Sequence, residues 1–293
     1  MGIEFRHVEK TYPDGAQAVR DISFTVPSHT TTVLLGSSGC GKTTLLRMVN
    51  RMVDPTGGQL LIDGEDIAGA EPVRLRRSIG YVMQHSGLLP HRRVIDNVAT
   101  GLRLNGAARG PARSQAEELL ELVGLDPALG RRYPDQLSGG QQQRVGVARG
   151  LAGDPNILLM DEPFGAVDPL VRLELQQQMK RLQTELRKTV LLVTHDIEEA
   201  LSLGDQIILL RPGGEIAQAG TAQELLSAPA DDFVARFLGV AQGRRRLRTS
   251  AGQDGEWVVT DAEGRPLGVV EAPPGPVHPR ADPSGSVPPE DGR

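Results

Sequence analysis

The stretch Gly36–Thr44, reading Gly-Ser-Ser-Gly-Cys-Gly-Lys-Thr-Thr, leaves this chain little freedom in how it can fold. It follows the apolar run Thr32–Leu35 and precedes Leu45-Leu46-Arg47-Met48-Val49, so it reads as strand, glycine-rich turn and helix. Gly36, Gly41, Lys42 and Thr43 stand at the spacing G-x-x-x-x-G-K-[ST]. Glycines so spaced let successive backbone N–H groups curl around a phosphate, and the helix N-terminus beyond them adds its partial positive charge. Lys42 is expected to reach the outer phosphates of a nucleotide, and Thr43 to ligate magnesium.

With 293 residues the chain can build one large domain or two smaller ones. Its net charge of −5 provides no basic face of the size nucleic-acid binding needs, so no nucleic-acid partner is expected. The single cysteine, Cys40, lies inside the phosphate loop, which rules out a disulfide within the chain and fits a reducing compartment. That thiol either fills space or is made reactive by the adjacent helix N-terminus. The N-terminus lacks a basic start followed by an apolar core, and no apolar run approaches the length of a membrane span. The chain is therefore expected to be soluble by itself.

Residues 3 to 12 and 21 to 26 alternate like strands around the turn Pro13-Asp14-Gly15, predicting an antiparallel opening. Tyr12, just before that turn, either stacks on a nucleotide base or simply ends a strand. Residues 59 to 63 and 79 to 83 read as strands, and Gln84 ends the second. Ligands gather at the carboxyl ends of parallel strands, so Gln84 either faces the phosphates or is a polar strand end. Helical spacing covers 112 to 124 and 141 to 152, with Leu137-Ser138-Gly139-Gly140-Gln141 between them. Two glycines after a serine at a helix start expose backbone donors, which makes a second anion site. Residues 156 to 162, Asn-Ile-Leu-Leu-Met-Asp-Glu, form an apolar strand ending in Asp161 and Glu162. Strand alternation is expected to turn the two carboxylates in different directions, one toward a metal and one toward an attacking water. A long helix over 170 to 188 and a strand over 189 to 194 lead to His195, which reaches the same sheet edge or is structural. Two short strands (206 to 211, 215 to 218) and two helices (221 to 238) follow. The composition changes near Val240, where an arginine cluster at 244 to 248 either touches an anionic membrane or is merely solvated. A β-hairpin is expected over 256 to 270, and 272 to 293, rich in Pro, Gly and charge, reads as disordered.

Taken together and in this order, the phosphate loop, Gln84, Leu137–Gln141, Asp161-Glu162 and His195 resemble the ATP-binding subunits of ABC transporters, over about residues 2 to 239. The resemblance implies an α/β P-loop NTPase of the ABC ATPase type. Its mixed parallel sheet core would carry an antiparallel β subdomain, a helical subdomain over about 85 to 155 and a short C-terminal tail. It further implies that Tyr12 and Gly36, Ser37, Ser38, Gly39, Cys40, Gly41, Lys42, Thr43 and Thr44 bind ATP. Glu162 would be the catalytic base, with His195, Gln84 and Lys42 acting beside it, and Thr43, Gln84 and Asp161 would hold Mg2+. Leu137, Ser138, Gly139, Gly140 and Gln141 would form the signature motif, acting on the nucleotide of a second copy, and Asp168 would be the D-loop aspartate.

By the same resemblance two copies meet head to tail when ATP binds, and transmembrane permease subunits hold them at the cytoplasmic face of the membrane. A substrate-binding protein would be an indirect partner. The runs Ile79–His91, Asp161–Asp168 and Ala230–Gly239 are similar to those of importers of glycine betaine, carnitine, choline or proline betaine. Another small polar substrate, such as an amino acid, or a soluble ABC protein without a transport role are the competing readings. Osmoprotectant importers often end in paired CBS domains. Here the match to such a module stops after the hairpin, in a linker and partial module over 240 to 271, so ionic regulation through this tail is not expected.

Overall fold

The computed structural model describes residues 1–165, 167–241, 248–251, 257–260 and 265–270. The chain forms two compact units, Met1–Leu238 and Gly239–Arg293.

In the first unit, β1 (Ile3–Thr11) and β2 (Gln17–Val26) pair antiparallel, as their alternation predicts. All six residues of β3 (Thr31–Gly36) are buried, and the strand runs into the glycine-rich loop and α1 (Lys42–Val49). The chain then returns to the first sheet with β4 (Gly57–Ile62) and β5 (Glu65–Asp66), giving the order β2-β1-β4-β5. Next come α2 (Pro72–Ser78), β6 (Ile79–Val82) and three helices: α3 (Val94–Leu104), α4 (Arg109–Leu122) and α5 (Gly139–Leu151). The remainder is β7 (Ile157–Asp161), α6 (Pro169–Leu186), β8 (Thr189–Thr194), α7 (Ile197–Leu203), β9 (Gln206–Arg211), β10 (Glu215–Gly220), α8 (Ala222–Ser227) and α9 (Asp232–Phe237).

The second sheet has the order β10-β9-β3-β8-β7-β6, parallel throughout except for β10. Every residue of β3, β7 and β8 is buried, the pattern of a parallel sheet covered on both faces. A single apolar core joins the first sheet through Phe5, Ile22 and Leu60, the helix α1 through Leu45 and Leu46, and the second sheet through Leu34, Leu159 and Leu191. Because β3, β8, β7 and β6 are parallel neighbours, their carboxyl ends lie along one edge. That edge carries the glycine-rich loop, His195, the Asp161-Glu162 pair and Gln84.

Two helices escape the periodicity argument, α2 and α3. No side chain caps α3 at Arg93, and five of its eleven residues are β-branched or glycine, so the start signal is missing. What fixes it is burial of Val94, Ile95, Val98 and Leu102 on one face. In the second unit, β11 (Arg248–Ala251), β12 (Trp257–Thr260) and β13 (Pro266–Val270) form an antiparallel sheet. The expected hairpin corresponds to β12 and β13, and β11 adds a third strand that sequence reasoning did not find. The arginines at 244 to 246 and the tail from 272 to 293 lie outside the described residues. Among the described residues no helix is long and apolar enough to cross a membrane.

Candidate functional site

The glycine-rich loop rests against β2. Gly41 has φ 96° and precedes α1; a Cβ there would stand 2.3 Å from the Ala18 carbonyl oxygen, so neither the conformation nor the space admits a side chain. Lys42 is only 4% exposed, and its Nζ donates to the carbonyl oxygens of Gly36 at 2.8 Å and Ser37 at 2.9 Å. Its ammonium therefore lies against the inner wall of the loop. Cys40 is buried beneath the same turn, with its Sγ 3.9 Å from that ammonium. Tyr12 stands at the loop's rim, where its hydroxyl is 3.3 Å from Thr44 Oγ1.

At the end of β7 the two carboxylates part company. Asp161 is buried; its Oδ1 accepts from Thr43 Oγ1 at 2.9 Å, and its Oδ2 accepts from the Tyr81 hydroxyl at 3.2 Å. Burial, reinforced by the Asp161 charge, pushes the Tyr81 phenol up to about 12, so it keeps its proton and remains a donor through the neutral range. Arg47 Nη2 lies 3.6 Å from the same Oδ2. The Thr43 and Asp161 oxygens form a hard donor pair. Among the described residues no three His, Cys, Asp or Glu side chains converge to hold a metal unaided. Such a pair fits Mg2+ shared with substrate phosphates, since that ion is usually held by one or two protein oxygens.

Glu162 is not separated from Asp161 by strand alternation, contrary to the sequence argument. The strand ends at Asp161, and Glu162 has φ 45°, a left-handed turn that redirects its side chain. Its N–H is held by the Val193 carbonyl at 3.0 Å. One carboxylate oxygen, Oε2, has two partners: Gln84 Nε2 donates to it at 3.1 Å, and His195 Nδ1 is also at 3.1 Å. Gln84, Glu162 and His195, which are far apart in the chain, thus meet at one atom.

The turn at 137 to 141 stands apart from this cluster. Leu137 is buried, whereas Ser138 and Gly139 are exposed. Ser138 Oγ accepts from the Gln141 N–H at 3.3 Å and Gln141 Oε1 accepts from the Ser138 N–H at 3.0 Å, a reciprocal cap on α5. With those donors satisfied, the first-turn N–H groups of Gly139 and Gly140 remain without an intrahelical acceptor. Asp168 is exposed at the start of α6, and its side chain makes no cap there.

Three residues outside the expected set hold the chain on either side of Gln84 in place. Gln143 Nε2 donates to the Met83 carbonyl at 3.2 Å, and the Arg149 guanidinium donates to the Ser86 and Gly87 carbonyls, each at 2.6 Å. Asn97, fully buried, donates to the carbonyls of Leu89, Arg92 and Arg93 and accepts from the Leu89 N–H. A fourth unexpected residue, Tyr81, lies on the strand that ends at this loop and donates to Asp161. Only a buried polar side chain on an otherwise apolar helix face, as at Asn97 and Gln143, could have marked two of them in the sequence.

Residues 19–165 match the ABC transporter family. The glycine betaine uptake system ATP-binding protein YehX of Escherichia coli is 48% identical to this chain, over 84% of this chain and 79% of its own length. The choline transport ATP-binding protein OpuBA of Bacillus subtilis is 44% identical over 87% of this chain. This chain spans 59 to 66% of the length of several such relatives, OpuBA among them. Among solved structures, a dimer of the ATP-binding cassette MJ0796 in a post-hydrolysis state with ADP and Pi superposes with a TM-score of 0.69. It is 33% identical, covering 75% of this chain and 98% of that one.

Proposed function

The chain belongs to the ABC transporter family, and from that premise we propose that it hydrolyses ATP as a head-to-tail dimer to drive uptake of a quaternary-amine osmoprotectant. The observation that carries the reading is the meeting of Gln84, Glu162 and His195 at one carboxylate oxygen, on the sheet edge that bears the phosphate loop.

In this reading the loop N–H groups and Lys42 hold the β- and γ-phosphates, while Tyr12 lies beside the base. Thr43, Asp161 and the amide oxygen of Gln84 would hold Mg2+, which supplies charge neutralisation at the phosphate oxygens. Gln84 and His195, the latter with its proton on Nδ1, fix Glu162 through Oε2. The other oxygen, Oε1, is left to accept a proton from the attacking water as the water adds in line to the γ-phosphorus. The proton passes to Glu162, the bond to the β–γ bridging oxygen breaks, and ADP and phosphate remain. The N–H groups of Gly139 and Gly140 of a second copy face the γ-phosphate, so ATP bridges the two chains and its cleavage removes the bridge. Dimeric association of the MJ0796 cassette supports that arrangement.

Permease subunits would dock at the groove of about 450 Å3 lined by Arg47, Met52, Tyr81, Met83, Gln84 and His85. Met52 and Met83 are large apolar side chains left exposed there, as an interaction patch requires. This docking would place the chain on the cytoplasmic face of the membrane, with a substrate-binding protein as an indirect partner. Choice of substrate then lies with those other chains, and the names of the relatives support a betaine or choline cargo.

The test is ATP-dependent uptake of labelled glycine betaine, choline and a polar amino acid by vesicles that hold this chain with its permease subunits. Uptake of betaine or choline that disappears with Lys42→Ala is the expected result. Uptake of the amino acid alone would retain the importer and discard the osmoprotectant; no ATP-dependent uptake of any of them would overturn the reading.

A further inference from the structure

The residues on either side of His195 are tied to a charge cluster that the proposed chemistry does not use. Thr194 Oγ1 donates to Glu199 Oε2 at 2.5 Å and accepts from the Asp196 N–H at 3.0 Å. Asp196 in turn caps α7 through the N–H groups of Glu198 and Glu199. Glu199 is 3% exposed, and its burial raises its pKa. The cation that answers these two carboxylates comes from another element: Arg172, in the first turn of α6. Its Nη1 is 3.2 Å from Asp196 Oδ2, and its Nε is 3.9 Å from Glu199 Oε1.

Arg172 also reaches backwards. Its Nη2 donates to the Val167 carbonyl at 3.5 Å, and its N–H donates to the Asp168 carbonyl at 2.8 Å. The same turn touches the 138–141 motif, because a Cβ on Gly140 would lie 2.4 Å from Val171 Cγ1 and 3.7 Å from Val167 Cγ1. Residues 167 to 172 are therefore in contact with the start of α5 on one side and with the segment carrying His195 on the other. Arg172 Nε is buried without a hydrogen bond. A buried donor left unpaired is destabilising, and a small shift of this turn toward Glu199 would satisfy it.

We propose that Arg172 is a positioning residue that sets His195 according to the state of the 167–172 turn. It thereby links the motif offered to a partner's nucleotide with the histidine that serves the chain's own. The proposal rests on the head-to-tail ATPase reading above. Arg172 touches no reacting atom; it acts through Asp196 and the Glu199–Thr194 pair, which flank the histidine.

The experiment uses the full chain and compares Arg172→Met, Arg172→Lys and Glu199→Gln with the parent. Their thermal midpoints are followed, together with steady-state ATPase kinetics and the His195 imidazole NMR signal, assigned by its loss in His195→Ala. Removing the Arg172 charge is expected to lower kcat about tenfold with KM for ATP changed less than about twofold, the pattern of an interaction made in the transition state. It also moves the His195 signal while that of His29 stays. Arg172→Lys restores most of kcat, and Glu199→Gln repeats the effect should Arg172→Met fail to fold. A folded Arg172→Met or Glu199→Gln protein with an unmoved His195 signal, or with kcat and KM as in the parent, overturns the proposal. A parent chain that neither hydrolyses ATP nor dimerises with it instead overturns the ATPase reading.

Discussion

Glu162 sets the terms at the scale of single residues, because one of its oxygens is engaged twice and, in the proposed reaction, the other accepts a proton from water. Glu162→Gln keeps the shape and removes the proposed base. ATP binding is expected to persist while turnover falls on the order of a hundredfold or more, and the ATP-bound dimer should accumulate on size exclusion with ATP and magnesium. Near-normal hydrolysis would remove the role given to Glu162. Tyr81 offers a second test. Its phenol, protonated up to about pH 12, donates to Asp161 Oδ2 and so orients the carboxylate that faces Thr43. Tyr81→Phe is expected to raise the Mg2+ concentration for half-maximal ATPase roughly tenfold, as loss of a metal ligand's supporting hydrogen bond does. Nucleotide binding without the metal should be unaltered, and titration of both quantities separates the two. The position of Glu162 at the end of the strand was legible from the apolar run before it. Its direction was not, since the left-handed turn at φ 45° that aims it has no signature in a residue type that rarely adopts one.

Among the elements, α5 ties two parts of the proposed site together in one helix. Its N-terminal end carries Ser138–Gln141, and further along the helix Gln143 holds the Met83 carbonyl and Arg149 those of Ser86 and Gly87. Arg149→Met strands the carbonyls of Ser86 and Gly87, at a cost of about 1–3 kcal/mol. Hydrogen exchange over residues 84 to 91 is expected to accelerate while exchange in β7 and β8 does not. Equal acceleration everywhere would mean that the guanidinium supports the whole unit and not that loop. The sequence marked the N-terminal end of α5 because two glycines follow a serine where helical spacing begins. It left Arg149 unmarked, since an arginine on a helix is ordinarily solvated, and only the fold reveals that this one is turned toward a loop 62 residues away.

For the whole molecule, the decisive quantity in the proposed reaction is the contact between copies. The Gly139 and Gly140 donors stand apart from the chain's own phosphate loop and belong, in the proposed dimer, to a partner's nucleotide. Ser138→Arg places a bulky cation at that exposed turn and is expected to block ATP-driven dimerisation while monomer affinity for nucleotide changes less than about twofold. Ultracentrifugation and a fluorescent nucleotide titration measure the two. Equal loss of both would mean that the site is not in trans. By itself the sequence determined the phosphate loop, the parallel strands that flank it and the residues ending them, because glycine spacing, two-sided apolar runs and terminal polar residues are local patterns. Tertiary structure alone decided that Gln84, Glu162 and His195 share one oxygen, that Tyr81 and Thr43 divide the two oxygens of Asp161, and that Arg172 answers Asp196 and Glu199. The order of strands in the sheet, β3-β8-β7-β6, is what brings distant residues to one edge, and that order follows from how the buried faces fit together in three dimensions.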